Sequence, residues 1–164
     1  MRFIRPFGVS LVAASLAVLA GSTRDASAQD QKAFEELLAN AKKVKCTFPI
    51  HVRVDWKNGE PVVENITTEP LTLEFHDINT DEGTAQSATT FGPNFDIVVR
   101  QTYMALNFVQ SMRSAGLYTT TIFARQSRAG RLRAVHTRHE YMDVNLAGFT
   151  SRPEQYYGDC EVTR

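Results

Sequence analysis

Cys46-Thr47-Phe48-Pro49-Ile50-His51-Val52-Arg53-Val54-Asp55-Trp56 is the stretch on which the fold turns. Phe48, Ile50, Val52, Val54 and Trp56 alternate with Thr47, Pro49, His51, Arg53 and Asp55. Successive strand side chains point to opposite faces, so this period of two predicts a half-buried strand with its apolar set inward. Pro49 offers no ladder hydrogen bond and places an edge or a bulge near the strand's start. Lys57-Asn58-Gly59-Glu60 follows. Asn-Gly suits the tight turn of a hairpin, so a return strand is expected over 62–67.

The same rhythm continues downstream. Leu71, Leu73 and Phe75 alternate with Thr72, Glu74 and His76, and the acidic stretch 77–83 reads as a turn. Further strands are expected over 84–90, 95–101, 104–112, 117–125 and 132–144. About eight short strands without helical crossovers predict a mainly β fold. The expectation is an antiparallel meander, either a lipocalin-like barrel or a sandwich. Closure would remove exposed edges. Residues 145–164 are expected to be an irregular tail. Ahead of the strands, Phe34, Leu37, Leu38 and Ala41 recur at helical spacing and predict one amphipathic helix over 30–43.

The N-terminus reads as a secretory signal over 1–28. Arg2 and Arg5 precede an uncharged run over 7–21, and Ala26-Ser27-Ala28 fits a cleavage site. The run is about 15 residues, short of the roughly 20 that span a bilayer. Ser22 stands where a lipoprotein would carry its cysteine, so cleavage after Ala28 would release a soluble periplasmic or secreted product. The remainder, 29–164, is expected to form a single β-rich domain. Cleavage lowers Lys+Arg from 18 to 15 and Asp+Glu from 18 to 17, leaving a net charge of about −2. That balance argues against a nucleic-acid partner. The charged strand faces argue against membrane insertion once the signal is removed. Two cysteines, Cys46 and Cys160, predict a disulfide in an oxidising compartment.

Signatures of common enzyme classes are absent: no nucleophile elbow, P-loop, zinc-protease motif or dinucleotide fingerprint. No catalytic residue, metal or cofactor is assigned on this reading. His136-Thr137-Arg138-His139-Glu140-Tyr141 is the densest polar run. Read as a strand, it places His136, Arg138 and Glu140 on one face and His139 on the other, which disfavours a joint metal site. The first face is expected to be a solvated, ion-paired surface, with contact to an anionic group as the sharper alternative. His51 and His76 are expected on exposed polar faces. Asp77, Asp81 and Glu82 lack the spacing of a calcium loop. Phe48, Val52, Trp56, Phe75, Phe108 and Phe123 fall on apolar faces, where they would fill a small barrel or line a pocket in it.

Three C-terminal segments carry a resemblance: Thr119-Thr120-Thr121-Ile122-Phe123; Gly130 to His139 with Leu132, Ala134, Val135, His136 and Arg138; and Pro153 to Cys160 with Gln155, Tyr156, Tyr157 and Gly158. With Cys46-Thr47-Phe48 and Trp56 they resemble small exported proteobacterial proteins that have no assigned role. The resemblance implies export and the cysteine pair, and carries no functional residue over. Lipocalin-like barrels are similar in architecture alone. The functional expectation is a soluble periplasmic binding module for a small apolar or amphipathic ligand. Phe48, Val52, Trp56, Phe75, Phe108 and Phe123 would line its interior, and His136 and Arg138 would meet a polar head group. The alternatives are an envelope-associated structural or protein-interaction role, with an envelope protein as partner, and an enzyme of undetermined class.

Overall fold

The Asn-Gly hairpin forms where the sequence predicts it. Asn58 (φ 54°) and Gly59 (φ 85°) both take the left-handed backbone that a tight hairpin turn demands. The turn joins β1 (Lys43–Lys57) to β2 (Glu60–Ile66), pairing Lys57 with Glu60 and Val54 with Val63. The computed structural model describes residues 23–89, 92–111, 116–139 and 152–164. The expected signal core and the expected strand end at 140–144 lie outside these residues.

Seven more strands complete the sheet: β3 (Leu71–Asn79), β4 (Thr84–Thr89), β5 (Gly92–Thr102), β6 (Ala105–Ser111), β7 (Leu117–Gln126), β8 (Leu132–His139) and β9 (Glu154–Thr163). All the pairings are antiparallel, and the order from β3 to β9 is sequential. β1 is long enough to serve three neighbours. Along one edge its first half pairs with β3 and its second half with β2. Along the other edge it pairs with β9 from Lys43 to Arg53. β1 and β3 to β9 therefore close an eight-stranded barrel, and β2 is an added flap. The barrel, not the sandwich, is the fold.

β9 corrects the sequence reading, which left 145–164 irregular. Tyr156, Cys160 and Val162 face inward in alternation with Tyr157, Glu161 and Thr163. Cys46 stands directly opposite Cys160 across the β1–β9 seam, and the two form a buried disulfide. The bridge encloses a sequence separation of 114 residues. A loop of that order loses about 4–5 kcal/mol of chain entropy from the unfolded state.

The helix also differs from expectation. α1 spans Thr23–Ala39, so it includes the expected cleavage site and stops before Lys43. Its end has a physical cause. The Asn40 side chain donates back to the Glu36 carbonyl, Ala41 N bonds the Leu38 carbonyl, and Lys42 N bonds the Thr163 carbonyl. The chain passes from the helix directly into the ladder. Leu38 is buried, Phe34 and Leu37 pack on the core, and α1 lies against β6 and β7. The Thr80 hydroxyl, in the β3–β4 turn, donates to the Ala39 carbonyl and ties the helix end to that rim. No helix among the described residues is long and apolar enough to cross a membrane.

The main correction concerns β1. Val44, Cys46 and Phe48 are buried, as an even-numbered inner face requires. Between Thr47 and Ile50 the register against β9 shifts. The extra residue of a bulge reverses which side chains face inward. Beyond it His51 is buried, while Ile50 is 54% and Trp56 61% exposed. Gly158 of β9 makes room for this irregularity: a Cβ there would fall on the Thr47 carbonyl oxygen.

Candidate functional site

Register across the closed sheet builds the site rung by rung. The rung His51–Tyr156–His136–Thr120–Phe108–Val99 runs through five consecutive pairings. The next rung outward is Arg53–Glu154–Arg138–Tyr118–Gln110. Toward the helix end, the rung Gly158–Ala134–Ile122–Leu106 is apolar. Polarity thus rises toward the rim at which β8 ends and β9 begins. One end of the barrel is an apolar core abutted by a helix, and the other is a polar mouth.

His136 is buried, not solvated as the sequence reading had it. Leu132, Ala134 and His136 share the inner face of β8, so the parity that buries the first two also buries the third. Its Nδ1 lies 2.8 Å from the Thr120 hydroxyl. Burial, reinforced by the nearby Arg138 charge, lowers its pKa from 6.5 to about 3, so the ring is neutral at neutral pH. His51 is also buried, where an exposed position was expected; the bulge is the cause. His51 stacks on Tyr156 with ring centroids 4.2 Å apart. His76 is half-buried beside Asp77, and His139 is exposed.

Glu154 is 1% exposed. A buried carboxylate is costly unless polar groups surround it. Tyr156 donates its hydroxyl to Oε2 at 2.7 Å. His51 Nε2 lies 3.4 Å from Oε1, close enough for an ion pair but without hydrogen-bond geometry. Neither His51 nitrogen has a hydrogen-bond partner among the described residues. Buried polar atoms without partners are rare, and such an orphan calls for a functional reading.

Arg138 is the outermost group of the set and is half-buried. Its guanidinium carbon sits 5.1 Å from the Tyr156 ring centroid and 5.8 Å from that of Tyr118. Among the described residues no carboxylate forms an ion pair with it. Guanidinium groups held over aromatic rings keep their planar fork of donors free for an anion. The flap borders this mouth through its inner face. Glu64 takes Arg53 Nη2 at 2.8 Å and Lys57 Nζ at 2.6 Å, and Arg152 Nε reaches Asp55 at 2.7 Å. The Lys57 hydrogen bond, and then that of Arg53, holds Glu64 below the usual carboxylate range; Arg152 does the same for Asp55.

The expected pocket residues separate. Phe48, Phe75 and Phe108 are in the barrel core, with Phe75 and Phe108 stacked at 4.0 Å. Val52 pairs with exposed Asn65 and Gln155 on the outer face, and Trp56 is exposed beyond it. Phe123 also faces outward. It borders an open groove of about 680 Å³ on the outer wall, lined by Met104, Ala105, Arg125, Arg133, Ala134, Val135, Tyr157 and Gly158 as well. The six apolar side chains therefore do not line one interior cavity, whereas His136 and Arg138 do share the mouth. No group of three or more metal-ligating side chains converges among the described residues.

The sequence points to Tyr156 as a pocket rim or a cover for the barrel end and places His51 on an exposed face; it gives no notice of Arg53, Tyr118, Thr120 or Glu154 as site residues. For Thr120 and Tyr118 a signal existed: they share parity with Ile122 and Ala124 in β7. No family model, curated protein or solved structure matches the chain.

Proposed function

We propose that this chain is an exported binding module that takes a small amphipathic anion at the polar mouth of its barrel. Arg138 anchors the anionic group, and Tyr118 and Tyr156 form the wall for the apolar body. His51 supplies hydrogen-bonding capacity that no other described residue takes up. The observation that carries this reading is the Arg138 guanidinium, held over two tyrosine rings with no carboxylate partner among the described residues. Most small-molecule sites combine such apolar walls with a few placed polar groups. Export rests on the charged, apolar and small-residue segments of the N-terminus, and the Cys46–Cys160 bridge fits an oxidising compartment.

Benzoate and phenylacetate, titrated against isotope-labelled protein, test the reading. Shifts confined to Tyr118, Arg138, Glu154 and Tyr156, weakened about tenfold or more in Arg138→Gln, support it; a charge-assisted hydrogen bond is worth about that factor. Saturable binding that is equal in wild type and Arg138→Gln, or no shift at these residues, overturns it.

A second reading, envelope-associated interaction, draws on the outer face of the flap. Val54, Trp56 and Val63 are exposed there, and Val54 and Val63 are directly paired. A photo-crosslinker at Trp56 that captures one reproducible envelope protein, lost in Val63→Asp, would favour it.

A further inference from the structure

The outer wall has a feature that the mouth does not explain. Between Ile122 and Gln126, β7 fits three residues where β8 has only Arg133 between Ala134 and Leu132. Phe123 and Arg125 alternate with buried Ile122 and Ala124 and so lie on the outside of the barrel. There they flank the groove of about 680 Å³, whose other walls include Met104, Val135 and Tyr157. Phe123 is 36% and Tyr157 41% exposed, so both rings are open to a ligand in the groove. The volume lies within the roughly 300–1,000 Å³ of small-molecule sites and is too small for a protein segment of several turns.

Charge marks the kind of occupant. Arg125 and Arg133 both line the groove. Arg133 Nε donates to the Gln126 carbonyl at 2.8 Å, which steadies the guanidinium across the bulge. Asp159 stands opposite Arg133 in the ladder, but its carboxylate is held by Arg131 at 2.8 Å. Neither Arg125 nor Arg133 forms an ion pair among the described residues. Two arginines without an ion pair among the described residues, beside an apolar floor, match a molecule with one anionic end and an apolar tail.

We propose that this groove is a second binding site, separate from the mouth, for a single acyl-chain carboxylate. Phe123, Tyr157, Val135 and Met104 hold the chain, and Arg125 and Arg133 hold the carboxylate.

Dodecanoate, dodecanol and dodecyltrimethylammonium, each below its micelle concentration, are titrated against the full folded protein by calorimetry and amide shifts. Dodecanoate should bind and shift Phe123, Val135 and Tyr157. Dodecanol should bind at least tenfold more weakly, and the cationic amphiphile should not bind there. At the Phe123, Val135 and Tyr157 amides, Arg125→Gln should weaken dodecanoate about tenfold, with a larger loss in Arg125→Gln/Arg133→Gln and no change in Arg138→Gln, whose effect is confined to the mouth. Equal binding of the anionic and cationic amphiphiles overturns the proposal. So does loss in Arg138→Gln with Arg125→Gln unaffected, because the site would then be the mouth. Binding to phosphatidylglycerol vesicles without binding of monomeric dodecanoate also overturns it and identifies a lipid surface instead. Failure of benzoate at the mouth leaves these outcomes untouched.

Discussion

The two halves of β1 obey opposite rules. From Lys43 to Phe48 the strand buries its apolar residues and exposes its lysines, as any half-buried strand should. From Ile50 to Trp56 it exposes isoleucine, valine and tryptophan, and turns His51, Arg53 and Asp55 inward. The residue types do not explain the reversal, because both halves alternate cleanly. The bulge between them does. One irregularity in register separates an apolar core from a polar mouth, and the mouth exists because the polar residues of the strand's second half have nowhere else to point.

The two halves share one seam, and the largest loss of stability is expected there. Replacing Cys46 and Cys160 by serine should cost about 4–5 kcal/mol, read as a drop in the denaturation midpoint. Stability unchanged in that double variant would mean that the β1–β9 seam closes without help. Within the first half, Phe48→Ala removes a core ring and should cost about 3–5 kcal/mol.

The polar half responds to pH instead. The unfolded chain binds a proton at His136 below about pH 6.5, whereas the folded chain refuses it until about pH 3. The stabilising contribution is complete above pH 6.5 and is lost as pH falls through this window. One proton corresponds to a slope of about 1.4 kcal/mol per pH unit. His136→Gln should remove that slope while retaining a partner for the Thr120 hydroxyl. An unchanged acid profile would mean that His136 is protonated in the folded state. The smallest effect belongs to the outward-facing residues of β1. Trp56→Ala should change stability by no more than about 0.5 kcal/mol, an order of magnitude below Phe48→Ala. A loss of several kcal/mol would return Trp56 to the core.

Much of the fold was legible. Alternation marked eight of the strands, and Asn58-Gly59 marked the hairpin, because both signals are local. β9 was harder. Its period of two is present in Tyr156, Cys160 and Val162, but Gly158 interrupts the apolar face and Pro153 precedes it. That glycine is required by the approach of β1, a contact from the other end of the chain that no local pattern reveals. The site was less legible than the fold. Arg138 and His136 were picked out for their chemistry, and His136 was placed on the wrong side of the wall although Leu132 and Ala134 share its parity. His51 and Glu154 were out of reach: Pro49 warned of a bulge, but only the shifted pairing shows that the faces exchange.

Trp56 is the only tryptophan in the chain, and it reports on the exchange of faces directly. Its intrinsic fluorescence should be measured in the native, disulfide-bonded protein with acrylamide as quencher. An outward-facing Trp56 should give an emission maximum close to that of the denatured chain and quenching nearly as efficient as in denaturant. A blue-shifted emission that resists acrylamide would place Trp56 inside the barrel, restore a single apolar face to β1 and contradict the polar mouth.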